Sequence, residues 1–263
     1  MKNKTALITG ASSGIGKELA HIHAENGGDL VVVARSQEKL EALKQELGNE
    51  HGVRVTVIAK DLTQPNAAKE VYEEVQASGL EIEYLINNAG FGGQGRFHER
   101  AWQDDLNMIQ LNIVTLTALC RFFIPHFVER KSGRILNVSS TASLTPGGPL
   151  QAVYFATKHF VTGFSYGIAG ELAETGVTVT ALMPGATATD FSSAAGLDET
   201  SLFANAVSAR SVAEDGYFGM MAGKLDVVSG LTFGQTLMIK AAPLTPKKLI
   251  LKQILQMQEL PSA

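Results

Sequence analysis

The stretch Thr9-Gly10-Ala11-Ser12-Ser13-Gly14-Ile15-Gly16 constrains the fold more than any other part of the chain. Before it lies the apolar run Thr5-Ala6-Leu7-Ile8, which reads as a short buried strand, and after it comes a helical pattern over residues 17–26. A strand, a glycine-rich turn and a helix, in that order, form the opening unit of a parallel α/β sheet. Glycines let an anion approach the main chain, and the following helix N-terminus offers free N–H groups and a favourable dipole. A dinucleotide pyrophosphate is the expected occupant, although the same glycines in isolation would indicate only a tight turn.

The pattern then repeats. Asp29-Leu30-Val31-Val32-Val33-Ala34 is a β-branched run, the second parallel strand, followed by a helix over residues 38–47. At the end of this strand an acidic residue would accept from a ribose 2′-hydroxyl; here Ala34 is followed by Arg35, which suits a 2′-phosphate, so NADP is favoured over NAD. A third strand over residues 53–58 delivers Asp61-Leu62, with Asp61 either accepting from an adenine amino group or serving as an ordinary loop or cap carboxylate. A helix opened by Pro65 and a fourth strand at Tyr84-Leu85-Ile86 follow, leading to Asn87-Asn88-Ala89-Gly90, small enough for close approach to a cofactor and partly structural in character.

Residues 101–131 are predicted helical, with Asn112 inside and Pro125 bending the helix or starting a new turn. A buried asparagine there needs hydrogen-bond partners. Gly133-Arg134-Ile135-Leu136-Asn137-Val138 is the fifth strand, placing Ser139-Ser140 at its C-terminal end, where parallel α/β sheets bind ligands. Beyond a sixth strand over residues 177–182, Pro184-Gly185 is followed by Thr187 and Thr189, and residues 192–205 read as a cover over a substrate or a passive loop. A helix over 212–222, a last strand over 225–228 and an amphipathic tail helix complete the chain. The tail is expected to pack on this domain or on a second copy, with a membrane surface as the alternative.

Tyr154-Phe155-Ala156-Thr157-Lys158 places a phenol and an ammonium four apart, on one face if a helix starts there. On its own this is an ordinary surface pair; beside a ligand site, a neighbouring ammonium lowers a phenol's pKa and makes it a general acid and base.

The 263 residues are 45% hydrophobic and 18% charged, which suits one large domain over 1–263, with a substrate-covering region at 187–223 and a helical tail at 240–263. A net charge of −4 argues against a general nucleic-acid binder. The single cysteine, Cys120, cannot form an intrachain disulfide and fits a reducing cytoplasm. The apolar run after Met1-Lys2-Asn3-Lys4 is too short for a signal peptide, and no uninterrupted apolar stretch reaches a membrane span, so a soluble protein is expected.

As a set, Thr9-Gly10-x-x-x-Gly14-x-Gly16, Asp61, Asn87-Asn88-Ala89-Gly90, Asn112, Ser140, Tyr154-x-x-x-Lys158 and Pro184-Gly185 resemble the short-chain dehydrogenase/reductase family, in its order and over roughly residues 5–189. The resemblance implies a Rossmann-like, doubly wound parallel sheet of about seven strands with helices on both faces, and reversible hydride transfer between NADP(H) and an aldehyde, ketone or alcohol. It assigns Ser140 to hold the substrate oxygen and Tyr154 to exchange its proton. Lys158 would depress the Tyr154 pKa and bind the nicotinamide ribose, and Asn112 would anchor a water linking Lys158 to solvent. Cofactor contacts are implied for Gly10, Ser12, Ser13, Gly14, Ile15 and Gly16, for Arg35, Asp61 and Leu62, for Asn88, Ala89 and Gly90, for Tyr154 and Lys158, and for Pro184, Gly185, Thr187 and Thr189; no metal is implied.

Two features depart from the family pattern. The last strand lacks the acidic-glycine-glycine ending of many tetrameric members, leaving a homodimer or homotetramer both open. Ser140 and Tyr154 are fourteen apart, one more than in many members, with Pro146 and Pro149 between them. The expected function is an NADP-dependent carbonyl reductase acting on an uncharged substrate. The alternatives are a 3-oxoacyl or steroid-like substrate, or a non-catalytic NADP-binding redox sensor.

Overall fold

In a computed structural model, which describes residues 4–190, 195 and 206–259, seven parallel strands form one sheet in the order β3-β2-β1-β4-β5-β6-β9. The strands are β1 Thr5–Thr9, β2 Asp29–Ala34, β3 Val55–Ala59, β4 Ile82–Asn87, β5 Gly133–Val138, β6 Val177–Pro184 and β9 Asp226–Ser229. The chain first winds outward from β1 to β3, then returns to place β4 on the other side of β1. That reversal opens a crevice at the C-terminal ends of β1 and β4, where such sheets bind ligands.

Side chains alternating along each strand build two separate cores. On one face, Ala6, Ile8, Leu30 and Val32 pack with helices α1 Gly14–Glu25, α2 Gln37–His51 and α7 Ala209–Met221. On the other, Leu7, Val31, Leu85 and Ile135 pack with α3 Ala67–Ala77, α5 Leu116–Glu129 and α6 Ala152–Glu171. Burial on both faces is why these strands are continuous apolar runs. Helix α2 shows how local and tertiary signals agree. Its Ser36 cap accepts from the Lys39 N–H, Gly52 closes it in the left-handed region at φ 67°, and Leu40, Leu43 and Leu47 form its buried stripe. Each of those leucines contributes about 2 kcal/mol of apolar burial.

The 101–131 segment differs from its expectation. Helix α4 Trp102–Ile109 passes into a π-helical turn, Gln110–Thr115, and then into α5, which carries Pro125 within its length instead of restarting there. Against the expectation of no spanning segment, this continuous helix, Trp102–Glu129, is long and apolar enough to cross a membrane. In the fold, Leu116, Leu119, Cys120, Phe123 and Phe127 are instead buried beneath the sheet.

Two further elements have no counterpart in the expectations. A short parallel pair, β7 Thr187–Ala188 with β8 Val207–Ser208, brings the two ends of the intervening segment together. The expected cover at 192–205 lies outside the described residues apart from Ala195. Helix α8 Phe233–Ala241, with a Thr232–Gln235 capping box, precedes the tail helix α9 Lys247–Gln258. The tail packs on its own domain: Ile250 and Ile254 form a third apolar cluster with Met108, Ala142, Tyr154 and Phe155.

Candidate active site

The glycine turn is built by contacts from β4. Thr9 Oγ1 accepts from the Asn88 and Ala89 N–H groups, each at 3.0 Å, while Asn88 Nδ2 donates to the Thr9 and Gly10 carbonyls at 2.9 and 3.2 Å. The Asn88 side chain therefore holds the turn in shape, and Asn87 bridges β4 to β5 by donating to Asn137 Oδ1 at 2.9 Å. Gly10 adopts φ 69°, a left-handed conformation that favours glycine. At Gly16 a Cβ would stand 2.2 Å from the Gly10 carbonyl oxygen, so the helix can approach the turn only without a side chain. No side chain caps α1 at Ser13, which leaves the N–H groups of its first turn available to an anion. This bare glycine cradle fits a pyrophosphate.

A cleft of about 850 Å³ runs from this turn along the strand ends. At one end it is lined by Arg35, Ser36, Lys39, Lys60, Asp61 and Leu62, so Lys39 and Lys60 join the arginine anticipated from sequence. Burial alone would raise the Asp61 pKa, but hydrogen bonds from Thr63 and Gln64, with the Arg35 charge, bring the carboxyl below its usual value. Its hydrogen bonds run to Thr63 N at 3.0 Å and Thr63 Oγ1 at 2.8 Å, which organises the loop after β3.

The other end of the cleft gathers Ser140, Tyr154 and Lys158. Ser139 is turned away, bonded to the Lys158 carbonyl at 2.9 Å and to Thr162 at 2.7 Å, whereas Ser140 hydrogen-bonds Tyr154. Tyr154 and Lys158 share one face of α6, with the ammonium 5.8 Å from the phenol ring centroid and donating to the Val138 carbonyl at 2.9 Å. The electrostatics differ from expectation. Burial pushes the Tyr154 phenol up to about 12, opposed by the Ser140 hydrogen bond, and pushes Lys158 down to about 8. In this arrangement desolvation outweighs any lowering of the phenol by the ammonium.

Asn112 sits in the π-helical turn, a distortion frequent at functional sites. Both amide protons are engaged: Nδ2 donates to the Phe91 carbonyl at 3.0 Å and to Thr157 Oγ1 at 3.1 Å, while Oδ1 accepts from the Phe91 N–H at 3.2 Å. The side chain thus pins the loop after β4 against α6. A Cβ at Gly90 would lie 3.0 Å from Asn112 Oδ1 and 3.4 Å from Lys158 Nζ, which places all three at one point of the cleft. Pro184, Gly185, Thr187 and Thr189 line the same cleft, and Thr189 packs within 3.0 Å of a Cβ position on Gly14.

Sequence reasoning missed the wall contributed by the tail. Ile254, Met257 and Gln258 of α9, with Met238 of α8 and Gln151 before α6, complete the cleft. The spacing of Ile250, Ile254 and Gln258 marks a buried helical stripe, but nothing local says what it covers.

Residues 4–200 match the family model described as short chain dehydrogenase. The chain is 35% identical to the very-long-chain 3-oxoacyl-CoA reductase of Anas platyrhynchos, over 71% of this chain and 61% of that protein. It is 37% identical to the NADP-dependent 3-hydroxy acid dehydrogenase YdfG of Salmonella typhi, over 71% of this chain and 74% of that protein. Among solved structures, a short-chain dehydrogenase from Sphingobium yanoikuyae in complex with NADPH superimposes with a TM-score of 0.82 at 32% identity, covering 98% of this chain and 99% of the other. The bulky-bulky ketone specific alcohol dehydrogenase from Comamonas testosteroni gives a TM-score of 0.79 at 28% identity, covering 100% and 98%.

Proposed function

This chain belongs to the short chain dehydrogenase family, and from that premise we propose that it is an NADP(H)-dependent oxidoreductase interconverting an uncharged ketone or aldehyde with its alcohol. One observation carries the reading: Ser140, Tyr154 and Lys158 converge in the same cleft as the uncapped α1 N-terminus and its glycine cradle. NADP rather than NAD is supported by the cationic set Arg35, Lys39 and Lys60 at the far end, where β2 ends in Ala34 without a carboxylate. The relative named as NADP-dependent and the neighbour solved with NADPH agree with it.

A dinucleotide held by the glycine turn and the cleft would bring the nicotinamide that supplies the hydride in reduction and accepts it in oxidation. Ser140 Oγ and the Tyr154 phenol, already hydrogen-bonded to each other, hold the carbonyl oxygen and polarise it. Tyr154 is protonated at neutral pH, as any phenol of ordinary pKa 10 is, and burial moves it further from ionisation, so it acts as the general acid that delivers the proton to that oxygen. The Lys158 ammonium, 5.8 Å from the Tyr154 ring centroid and with its pKa lowered by burial to about 8, is the proton source assigned to the phenol after transfer. Asn112 keeps the Gly90 turn and α6 in register around that ammonium.

A narrower reading, a 3-oxoacyl thioester as substrate, is favoured by the 35% identity to a protein named as a 3-oxoacyl-CoA reductase, and by the apolar cleft walls Phe91, Leu111 and Met238. The exposed apolar side chains Leu106 and Val114, and Phe160 and Tyr166 of α6, support self-association as a homodimer or homotetramer. The buried Cys120 accords with a reducing cytoplasm. The test follows NADPH and NADH oxidation over ketones, aldehydes and 3-oxoacyl thioesters. Turnover with preference for NADPH is expected; tight NADPH binding with no turnover on any carbonyl would replace the enzyme by a dinucleotide sensor.

A further inference from the structure

From Leu231 to Gln258 the chain carries four lysines and no acidic residue, although its net charge is −4, so all 26 acidic side chains lie elsewhere. A basic segment in an acidic chain points to a negatively charged partner. Three of these lysines, Lys247, Lys248 and Lys252, are exposed on the tail helix α9. Among the described residues the lysine ion pairs belong to Lys17, Lys44, Lys60 and Lys69, and none to α9. Lys247 and Lys248 occupy the first turn of α9, which holds no acidic residue. Cations there face the positive end of the helix dipole, so they weaken the helix instead of supporting it. The leucines beside them are just as poorly placed for water: Leu244 is 91% exposed and Leu249 49%. Residues 244–252 therefore present two leucines framed by three lysines, while the opposite stripe, Ile250 and Ile254, is buried against the Tyr154 cluster.

We propose that the outward face of α9, with Leu244 before it, docks on an anionic lipid bilayer. Leucines set among acyl chains and ammonium groups set against headgroup phosphates satisfy both halves of the patch at once. A nucleic acid would take the lysines and leave the leucines in water. A second copy of this chain meeting it patch to patch would set lysine against lysine. Each lysine near an anionic surface contributes about 1 kcal/mol, so three lysines and two leucines give reversible docking and not a permanent anchor. The inner side of α9 walls the cleft through Ile254 and Met257, so docking brings that wall to the lipid surface. The proposal goes beyond the reductase reading and does not depend on it, because docking is measured without turnover.

The test is co-sedimentation of the full chain with vesicles of phosphatidylcholine alone or with roughly one-third phosphatidylserine, at low and high salt. Three proteins are compared: the wild type, the triple variant Lys247→Gln, Lys248→Gln, Lys252→Gln, and the double variant Leu244→Ser, Leu249→Gln. The wild type is expected to bind the phosphatidylserine vesicles about 30-fold or more tightly than the neutral ones, and to lose that preference at high salt. The lysine variant should bind both lipids alike, and the leucine variant should bind the anionic vesicles about tenfold or more weakly. All three should melt within a few degrees of one another, since the changed side chains are exposed. No sedimentation of the wild type, equal binding to both lipids, or a lysine variant that keeps the preference overturns the proposal. So does a wild-type dimer that the leucine variant loses in analytical ultracentrifugation, which would make the patch a contact between copies. Vesicle binding with no turnover on any carbonyl would leave the docking surface standing and remove the reductase reading alone.

Discussion

Lys158 carries its ammonium in a place that water hardly reaches, with the Val138 carbonyl as its hydrogen-bond acceptor at 2.9 Å. Burial moves its pKa from 10.5 down to about 8, while the neighbouring phenol moves up to about 12. Between pH 8 and 10.5 the unfolded lysine keeps a proton that the folded one has released, so stability rises with pH across that window; below pH 8 the cost of the buried charge is fully present. Wild-type stability measured by urea unfolding should therefore increase from pH 7 to pH 10 by about 1–3 kcal/mol relative to Lys158→Met. Carbonyl reduction should in turn fall as pH passes through about 8, where Lys158 loses the proton that recharges Tyr154. A profile flat to pH 10 would remove Lys158 from that role. The Ser140, Tyr154 and Lys158 placement was legible in the sequence, since it needs only helical spacing and a strand end. The burial that reverses the phenol shift was not, because it is imposed partly by Ile250 and Ile254, far along the chain.

At the scale of elements, the turn between β1 and α1 works through what it excludes. A methyl group on Gly16 would meet the Gly10 carbonyl oxygen at 2.2 Å and Asn88 Nδ2 at 2.4 Å, and the backbone atom cannot step aside. Gly16→Ala should destabilise the fold by about 1–3 kcal/mol and weaken NADP binding, read by thermal melting and by cofactor titration. Gly167, within α6, has nothing within 4 Å of its Cβ position. The same substitution there should be neutral or stabilising by up to about 1 kcal/mol, from helix propensity alone. If the two variants behave alike, the close approach is not what Gly16 serves. The strand, turn and helix order was readable because glycine and apolar periodicity are local signals. The partly structural character of Asn87-Asn88 was also readable, though not that Asn88 would bond the Thr9 carbonyl, and the π-helical turn at Gln110–Thr115 was hidden, since the Asn112 within it finds its partners, Phe91 and Thr157, in other elements.

For the whole molecule, one cleft runs from the glycine turn to Ser140, Tyr154 and Lys158, and the tail walls that second end. Removing residues 246–263 would uncover the cluster of Met108, Ala142, Tyr154 and Phe155. Such a truncation should raise KM for ketones roughly tenfold or more, by the loss of apolar wall, yet leave the NADP Kd within about twofold because the glycine turn and Arg35 lie elsewhere. Matching losses in both constants would mean that the tail supports the fold at large. The pairing of β7 with β8 has its own consequence at this scale. Thr187–Ala188 and Val207–Ser208 are fixed to each other, and Gly185 is tied to β9 through the Ser229 carbonyl at 2.8 Å. The stretch between them therefore begins and ends at anchored points, and doubling its length would cost only about 0.6 kcal/mol in closure entropy. Length can therefore be added between Asp190 and Val207 with both anchors, and Thr189 against Gly14, left in place, and an insertion variant there should melt within a few degrees of the wild type.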